Sequence, residues 1–138
     1  MIRAATVALT ARRNAPLIFA LPVYIGAALA DLTGYAGKLQ VRRYGKAPGD
    51  PLLGIETASS PAEGIRFGWR VDDARQTDLP ESGWFRVLIT AEAIDQLPAA
   101  SLPGEPATFS YDLIVTPASG KAATWMEGDF IVLPGVTE

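Results

Sequence analysis

Two stretches near the end of the chain decide its fold class: Phe109-Ser-Tyr-Asp-Leu-Ile-Val-Thr-Pro117 and Trp125-Met-Glu-Gly-Asp-Phe-Ile-Val-Leu-Pro134. In both, large apolar residues alternate with small or polar ones, and both end at a proline. This period of two is typical of β-strands that bury one face. The segment between them, Ala118-Ser-Gly-Lys-Ala122, is expected to form a hairpin turn.

The same alternation continues through most of the preceding chain. The predicted strands cover residues 3–11, 15–25, 38–44, 52–57, 64–72 and 84–90. Residues 26–37 and 73–83 are predicted to be loops, and Thr90 is expected to cap one helical turn over residues 90–97. Because no helix is long enough for parallel crossovers, the sequence predicts an all-β, antiparallel β-sandwich of roughly seven to eight strands. The length predicts a single domain over residues 1–138.

The composition excludes several kinds of chemistry. The chain contains no histidine and no cysteine, which removes the commonest general base, the commonest zinc ligand and any thiolate nucleophile. Its formal net charge is -3, with Lys and Arg scattered, so no nucleic-acid partner is predicted. We therefore expect a non-enzymatic protein with no catalytic, cofactor-binding or metal-binding residues.

The apolar N-terminal region allows two interpretations. Residues 12–31 resemble a signal peptide, because two arginines precede an apolar run that ends in small residues. Two prolines interrupt this run, however, and the bulky residues from Leu17 to Ile25 alternate as in a strand. A buried strand is therefore favoured over a signal peptide. The run is also shorter than the roughly 20 apolar residues of a membrane span, so no membrane contact is predicted.

Acidic residues are the only candidates for metal binding or acid–base catalysis. One group could supply oxygen ligands to calcium: Asp72, Asp73, Asp78 and Glu81. The spacing of calcium-binding loops is missing, so a solvated loop is favoured. Glu92 and Asp95 could mimic a glycosidase pair, but residues three apart on a surface turn have no cleft between them. Neither group is expected to form a site.

The three tryptophans could form a sugar-stacking platform: Trp69, Trp84 and Trp125. Trp69 is in phase with the apolar positions of its strand, which favours packing in the core. Trp84 is out of phase with its strand and is the better candidate for an exposed contact with another subunit. Trp125 is ambiguous because Met126 follows it directly. Core and interface roles are favoured over sugar binding for the set.

Five cationic residues could gather on one sheet face if their strands are neighbours: Arg42, Arg43, Lys46, Arg66 and Arg70. Such a face would suit an acidic protein partner better than DNA, because the chain as a whole is negatively charged. Ordinary solvent-facing charge is the favoured alternative.

Three blocks follow one another in a characteristic order. They are the Asp31-Leu-Thr-Gly34 loop before the strand Lys38–Arg43, the turn Ile89–Pro98, and the pair Phe109-Ser-Tyr-Asp-Leu and Glu127-Gly-Asp-Phe-Ile-Val-Leu-Pro134. This order resembles small immunoglobulin-like domains of bacteriophage and prophage tail, baseplate and fibre proteins. The resemblance covers most of residues 15–135. Phe109 stands where that pattern more often has a tyrosine, and residues 45–64 match no part of it.

The resemblance implies an immunoglobulin-like β-sandwich that serves as a structural or adaptor component of a phage or prophage tail or baseplate. It would be a virion component assembled in the cytoplasm of the bacterial host. Its partners would be other phage structural proteins, and a homo-oligomer is compatible with the symmetry of tails. A carbohydrate-binding module for a host surface glycan is the alternative, which an exposed, coplanar pair of aromatic rings would favour.

Overall fold

Strands form most of the molecule. The computed structural model describes residues 5–44, 49–58, 60, 62–72, 74–75 and 77–134. Within these ranges the only helix is the short α1, Ala91–Asp95. The all-β prediction is therefore confirmed. None of the helical structure in these ranges is long and apolar enough to cross a membrane.

The described residues form eleven strands. They are β1 Ala5–Thr6, β2 Leu9–Arg12, β3 Leu17–Pro22, β4 Tyr24–Ile25, β5 Ala28–Leu29, β6 Ala36–Arg42, β7 Leu53–Glu56, β8 Gly64–Asp72, β9 Thr77–Ile89, β10 Ala107–Thr116 and β11 Ala123–Leu133. The larger sheet has six strands in the order β1-β11-β10-β6-β7, with β2 also paired to β11. The smaller sheet has the order β3-β9-β8, and β4 and β5 form a separate hairpin.

The two sheets share one hydrophobic core. Alternation places Leu39 and Leu113 on the core-facing side of the larger sheet. It places Ile65 and Val87 on the core-facing side of the smaller sheet, and all four side chains are fully buried. Burying each such side chain contributes about 1.5–3 kcal/mol. A Cβ atom at Gly37 would lie 3.1 Å from side-chain atoms of the smaller sheet, so the sheets approach closely there.

A β-bulge resolves the ambiguity of Trp125. The register of β10 with β11 shifts between Leu113, which faces Met126, and Ile114, which faces Thr124. Trp125 is therefore the extra residue of β11, and both it and Met126 are buried. The Trp125 ring packs against Phe85 of the smaller sheet, with ring centroids 5.9 Å apart. Trp125 is a core residue that bridges the two sheets.

The N-terminal strands are parallel to the C-terminal strand, so the prediction of a wholly antiparallel fold was wrong. β1 pairs with β11 at Met126, and β2 pairs with β11 from Phe130 onward, both in parallel register. The predicted strand 3–11 is divided, and residues 3–4 lie outside the described ranges. The chain passes Gly128 closely at the division, where a Cβ atom would lie 2.7 Å from the Val7 carbonyl oxygen.

The strand predicted over residues 15–25 is confirmed in part. β3 pairs along its whole length with β9 in antiparallel register. The chain then turns at Gly26, which has a positive φ of 65°, and forms the β4–β5 hairpin. The loop prediction for residues 26–37 was therefore wrong at β5 and at the start of β6. Strands as short as β4 and β5, with two residues each, give no recognisable alternation of apolar and polar residues.

The loop prediction for residues 73–83 was also wrong. β9 begins at Thr77 and pairs with Asp72 of β8 in a long hairpin. The Asp72 carboxylate accepts hydrogen bonds from the backbone N–H groups of Ala74 and Arg75 and so stabilises the turn. The ladder is interrupted between the pairs Phe67–Phe85 and Trp69–Pro80, where Gly68 has a φ of +85°. Because of this interruption, the sequence of β9 does not alternate regularly along its whole length, and its first part was predicted to be a loop.

The predicted helical turn is present. The Thr90 hydroxyl accepts a 3.2 Å hydrogen bond from the N–H of Ala93, as an N-cap residue does. Ile94, on the inner side of α1, is fully buried. The turn closes the core at the end of β9.

Candidate functional site

The cationic face that the sequence left open as one alternative does not form. Arg42 is on β6 of the larger sheet, whereas Arg66 and Arg70 are on β8 of the smaller sheet. Arg43 is exposed just after β6, and Lys46 lies outside the described ranges. The sequence made this face conditional on neighbouring strands, and β6 and β8 belong to different sheets. The favoured alternative, ordinary solvent-facing charge, holds for Arg43 but not for Arg66, which is buried.

Arg66 instead belongs to a buried ionic cluster with Asp78 and Arg86. Arg66 and Arg86 are directly opposite each other on β8 and β9. One Asp78 oxygen lies 2.6 Å from Nη1 of Arg66, and the other lies 3.6 Å from Nε of Arg86. Arg86 is fully buried and donates two 3.1 Å hydrogen bonds to the Ala62 carbonyl oxygen. Asp78 therefore offsets the repulsion between two opposed guanidinium groups.

Burial has an electrostatic consequence for Arg86. Desolvation lowers the pKa of its guanidinium group below the usual value, the Asp78 carboxylate opposes that shift, and Arg66 adds to it. The cluster is stable only while the Asp78 carboxylate and the Ala62 carbonyl group remain in contact with the two guanidinium groups, because an unpaired buried charge is costly.

Trp69 covers this cluster, so the prediction that it packs in the core was wrong. The guanidinium carbon of Arg66 lies 3.6 Å from the centroid of the Trp69 ring, a cation–π contact. The break at Gly68 puts Trp69 on the side of the sheet that carries Arg66, away from the shared core. The local pattern of alternation could not show this change of side.

The same contacts show what the cluster does. In the β8–β9 ladder Asp78 is opposite Val71, yet its carboxylate reaches back to Arg66. β8 also contacts β3, although β9 lies between them in the sheet order. The end of the hairpin therefore bends back towards the outer side of the smaller sheet. The ionic cluster fixes it there, which is a structural role.

The three tryptophans do not form a platform. Trp84 is half-buried, with the Arg70 guanidinium 5.9 Å from its ring centroid, and Arg70 forms an exposed ion pair of 3.2 Å with Glu81. Trp84 is therefore less exposed than predicted. Among the described aromatic rings, Trp125 pairs with Tyr35, Phe67 and Phe85, and no two tryptophans pair with each other.

The acidic candidates are also accounted for. Asp78 and Glu81 have arginine partners, and Asp72 accepts hydrogen bonds within its turn. Asp73 lies outside the described ranges. Asp95 accepts a 3.0 Å hydrogen bond from the N–H of Asn14, while Glu92 is exposed in the first turn of α1. Within the described part of the chain, no three acidic residues are grouped so that they could hold a metal ion.

The Asp31–Gly34 loop lines a cleft of about 340 Å³, whose floor includes Phe67. The Asp31 carboxylate accepts hydrogen bonds from the hydroxyl and the N–H of Thr33, at 2.7 and 3.0 Å. These two bonds lower the pKa of Asp31. The carboxylate thus holds its own loop in shape before β6, and this explains why Asp and Thr occur together in this motif.

The outer face of the larger sheet is the most unusual surface of the molecule. Its side chains alternate with the buried positions of β6, β10 and β11. The face includes Lys38, Gln40, Arg42, Ser110, Asp112, Ile114, Glu127, Asp129 and Ile131. Ile114 and Ile131 are half-buried, so the face is partly apolar.

Charges on the three central strands of this outer face, β6, β10 and β11, are sorted by sign, whereas Glu56 on β7 and Arg12 on β2 have the opposite sign to the columns next to them. The acidic column, which consists of Asp112, Glu127 and Asp129, occupies β10 and β11, and Asp112 is directly opposite Glu127. The basic column, which consists of Lys38 and Arg42, occupies the neighbouring β6. Like charges opposed across strands are destabilising. In the described part of the molecule none of these five residues forms an ion pair, and one buried oxygen of Asp112 has no hydrogen-bond partner.

The comparisons with known proteins do not assign the chain to a family. No protein-family model matches the sequence, and no curated protein matches it either. Function must therefore be inferred from the strand order and from the surface of the molecule.

Proposed function

We propose that the chain is an immunoglobulin-like β-sandwich that acts as a non-enzymatic structural or adaptor component of a phage or prophage tail or baseplate. The observation that supports its immunoglobulin-like part is the strand order, and the tail or baseplate role rests on the sequence resemblance. Immunoglobulin-like domains have strands B, E and D together in one sheet and C, F and G in the other. The orders β3-β9-β8 and β7-β6-β10-β11 correspond to B-E-D and C′-C-F-G. The N-terminal strands differ from the constant-type arrangement, because they pair with β11.

The positions of the three sequence blocks also support the resemblance. The Asp31–Gly34 loop comes directly before β6, which corresponds to strand C. The block Ile89–Pro98 contains the end of β9 and all of α1, at the corner between strands E and F. The last block forms the hairpin β10–β11, which corresponds to strands F and G. Each block thus occupies a junction or a strand that the immunoglobulin-like pattern requires.

The chemistry of the side chains favours a role in binding rather than catalysis. The carboxylates of Asp31, Asp72, Asp78 and Asp95 accept hydrogen bonds from nearby backbone, hydroxyl or guanidinium groups. Such groups are positioned to stabilise loops and hairpins, and a general acid or base would need access to a substrate. The carbohydrate-binding alternative has less support, because the tryptophans are apart from one another and Trp125 is in the core.

The test is whether the protein is part of an assembled particle. Particles released by the bacterium that carries the gene would be purified on a density gradient, and their proteins would be quantified by mass spectrometry. We expect the protein in the tail fraction at a fixed ratio to tail proteins, and tail, tape-measure or fibre genes beside its own gene. Its absence from particles, together with neighbouring genes for sugar degradation, would contradict the proposal.

A further inference from the structure

The outer face of the larger sheet carries two columns of opposite charge that form no ion pair within the described part of the chain, where the Arg42 guanidinium donates hydrogen bonds only to the Gly49 carbonyl oxygen and to Oε1 of Gln40. The acidic column lies on β10 and β11, and the basic column lies on β6, the next strand in the sheet. Both columns point to the same side, because they alternate with the fully buried Leu39, Leu113 and Phe130. We infer that this face binds a second copy of the chain, so that Glu127 and Asp129 on β11 of each copy lie against the basic column of the other.

The register of the strands makes the face self-complementary. Arg42, Ser110 and Asp129 form one row across β6, β10 and β11. A two-fold axis that runs along the strands near β10 exchanges the two sides of each row and keeps its height. Asp129 of one copy then faces Arg42 of the other at the same level. In the next row, Glu127 lies beside Gln40 of the second copy, between the levels of its Lys38 and Arg42, and Asp112 lies near the axis beside Asp112 of the second copy.

A second copy places opposite charges against Glu127, Asp129 and the basic column, and a partner of one charge sign does not. A basic segment would neutralise Asp112 and Glu127 but would be repelled by Arg42, and an acidic segment would meet the opposite problem. Two-fold symmetry supplies both complements at once, since each contact occurs twice. Glu56 is opposite Lys38 on β7 at the rim of the sheet, but the two form no ion pair. Ile114 and Ile131 add apolar contact area between the charges.

Charge reversal of each column gives a sharp test. The variants K38E/R42E and E127K/D129K would be studied by light scattering after gel filtration and by sedimentation velocity at low salt. We expect the wild-type chain to form dimers that salt weakens, and each variant to be monomeric because like charges then face each other. An equimolar mixture of the two variants should form a heterodimer, since residue 42 of each copy again faces a residue 129 of opposite sign.

Matched controls separate this effect from a change in net charge. The variants R75E/K121E and E92K/E105K alter the charge equally at exposed sites away from this face and should remain dimeric. Circular dichroism would show that all variants are folded. The inference is overturned if the wild-type chain stays monomeric across the concentration series, if either column variant still dimerises, or if the mixture of folded variants stays monomeric.

A cysteine cross-link gives a second readout that needs no charge reversal. The chain has no cysteine, so Ser110→Cys introduces a single thiol on β10, near the proposed axis. Oxidation should join two copies of this variant rapidly, whereas Ser101→Cys, at an exposed loop position, should cross-link slowly. Equal cross-linking rates would contradict the inference. None of these results depends on the phage assignment, which the particle experiment tests separately.

Discussion

The hydroxyl of Tyr111 donates a 2.6 Å hydrogen bond to the carbonyl oxygen of Val7. Tyr111 lies in the middle of β10, and Val7 lies between the two N-terminal strands that pair with β11. The bond therefore holds the N-terminal segment against the C-terminal hairpin at the point where the chain changes from β1 to β2. It connects parts of the chain that are far apart in sequence.

Removal of this hydroxyl should destabilise the fold. Tyr111→Phe keeps the buried ring but leaves the Val7 carbonyl without this donor, so we expect a loss of about 1 kcal/mol in the free energy of unfolding. Urea denaturation would measure the change. Tyr24→Phe is the matched control, because Tyr24 is 60% exposed. Equal stability of the two variants would show that the bond contributes nothing.

The same tyrosine predicts a loss of stability at alkaline pH. Burial, and secondarily the negative charge of Glu127, raise the pKa of Tyr111 to about 12 from 10.0. Between these values the unfolded chain releases this proton while the folded chain keeps it, so stability falls as pH rises through this window. Denaturation of wild type and Tyr111→Phe across pH 9–12, about the range of tyrosine titration, would isolate the effect. The wild-type curve should fall more steeply; parallel curves would refute the prediction.

The buried cluster of Arg66, Asp78 and Arg86 should be far more sensitive than an exposed ion pair. Asp78→Asn leaves two buried guanidinium groups without their anion, which should cost about 3–5 kcal/mol. The exposed pair of Arg70 and Glu81 provides the control, because Glu81→Gln should cost less than about 1 kcal/mol. Chemical denaturation would compare the two variants. Similar losses in both would mean that the cluster does not fix the β8–β9 hairpin.

Gly128 should be intolerant of any side chain. A Cβ atom there would lie 2.7 Å from the Val7 carbonyl oxygen, and its φ of 147° is unfavourable for other residues. We expect Gly128→Ala to cost about 2–4 kcal/mol, because strain and a backbone clash add together. Gly49 also has a positive φ, 88°, but a Cβ atom there would meet nothing within 4 Å beyond its chain neighbours. Gly49→Ala should therefore lose only about 1 kcal/mol, and thermal unfolding would distinguish the two.

The sequence was sufficient to predict those strands and turns whose formation depends mainly on residues close together in the chain. Alternation identified β10 and β11, and Thr90 with its following residues identified the helical turn. It was insufficient where a bulge changes the side on which a residue lies, as at Trp69 after Gly68. A break in a ladder can reverse the side on which the following residues lie, and alternation does not mark it; a glycine inside the strand, here Gly68, is the local sign of such a break.

The candidate surface was missed for a different reason. Alternation alone indicates that Asp112 and Glu127 point away from the core, but it does not show that they are opposite each other. That fact depends on the register of β10 with β11, and the position of Arg42 beside them depends on which strands share a sheet. The predicted grouping of Arg42 with Arg66 failed for the same reason. Charge patterns on a sheet are therefore readable only after the strand order is known.

Opposition of Asp112 and Glu127 predicts a stabilising substitution in the isolated chain. Glu127→Gln removes the like-charge contact, so at low protein concentration and low salt it should stabilise the fold by about 0.5 kcal/mol. Added salt should reduce this gain, because it screens the repulsion in the wild-type chain. Glu105→Gln, at an exposed loop position, is the control and should have almost no effect. If Glu127→Gln destabilises the monomer instead, the carboxylate is satisfied within the chain, and the outer face does not need the charges of a second copy.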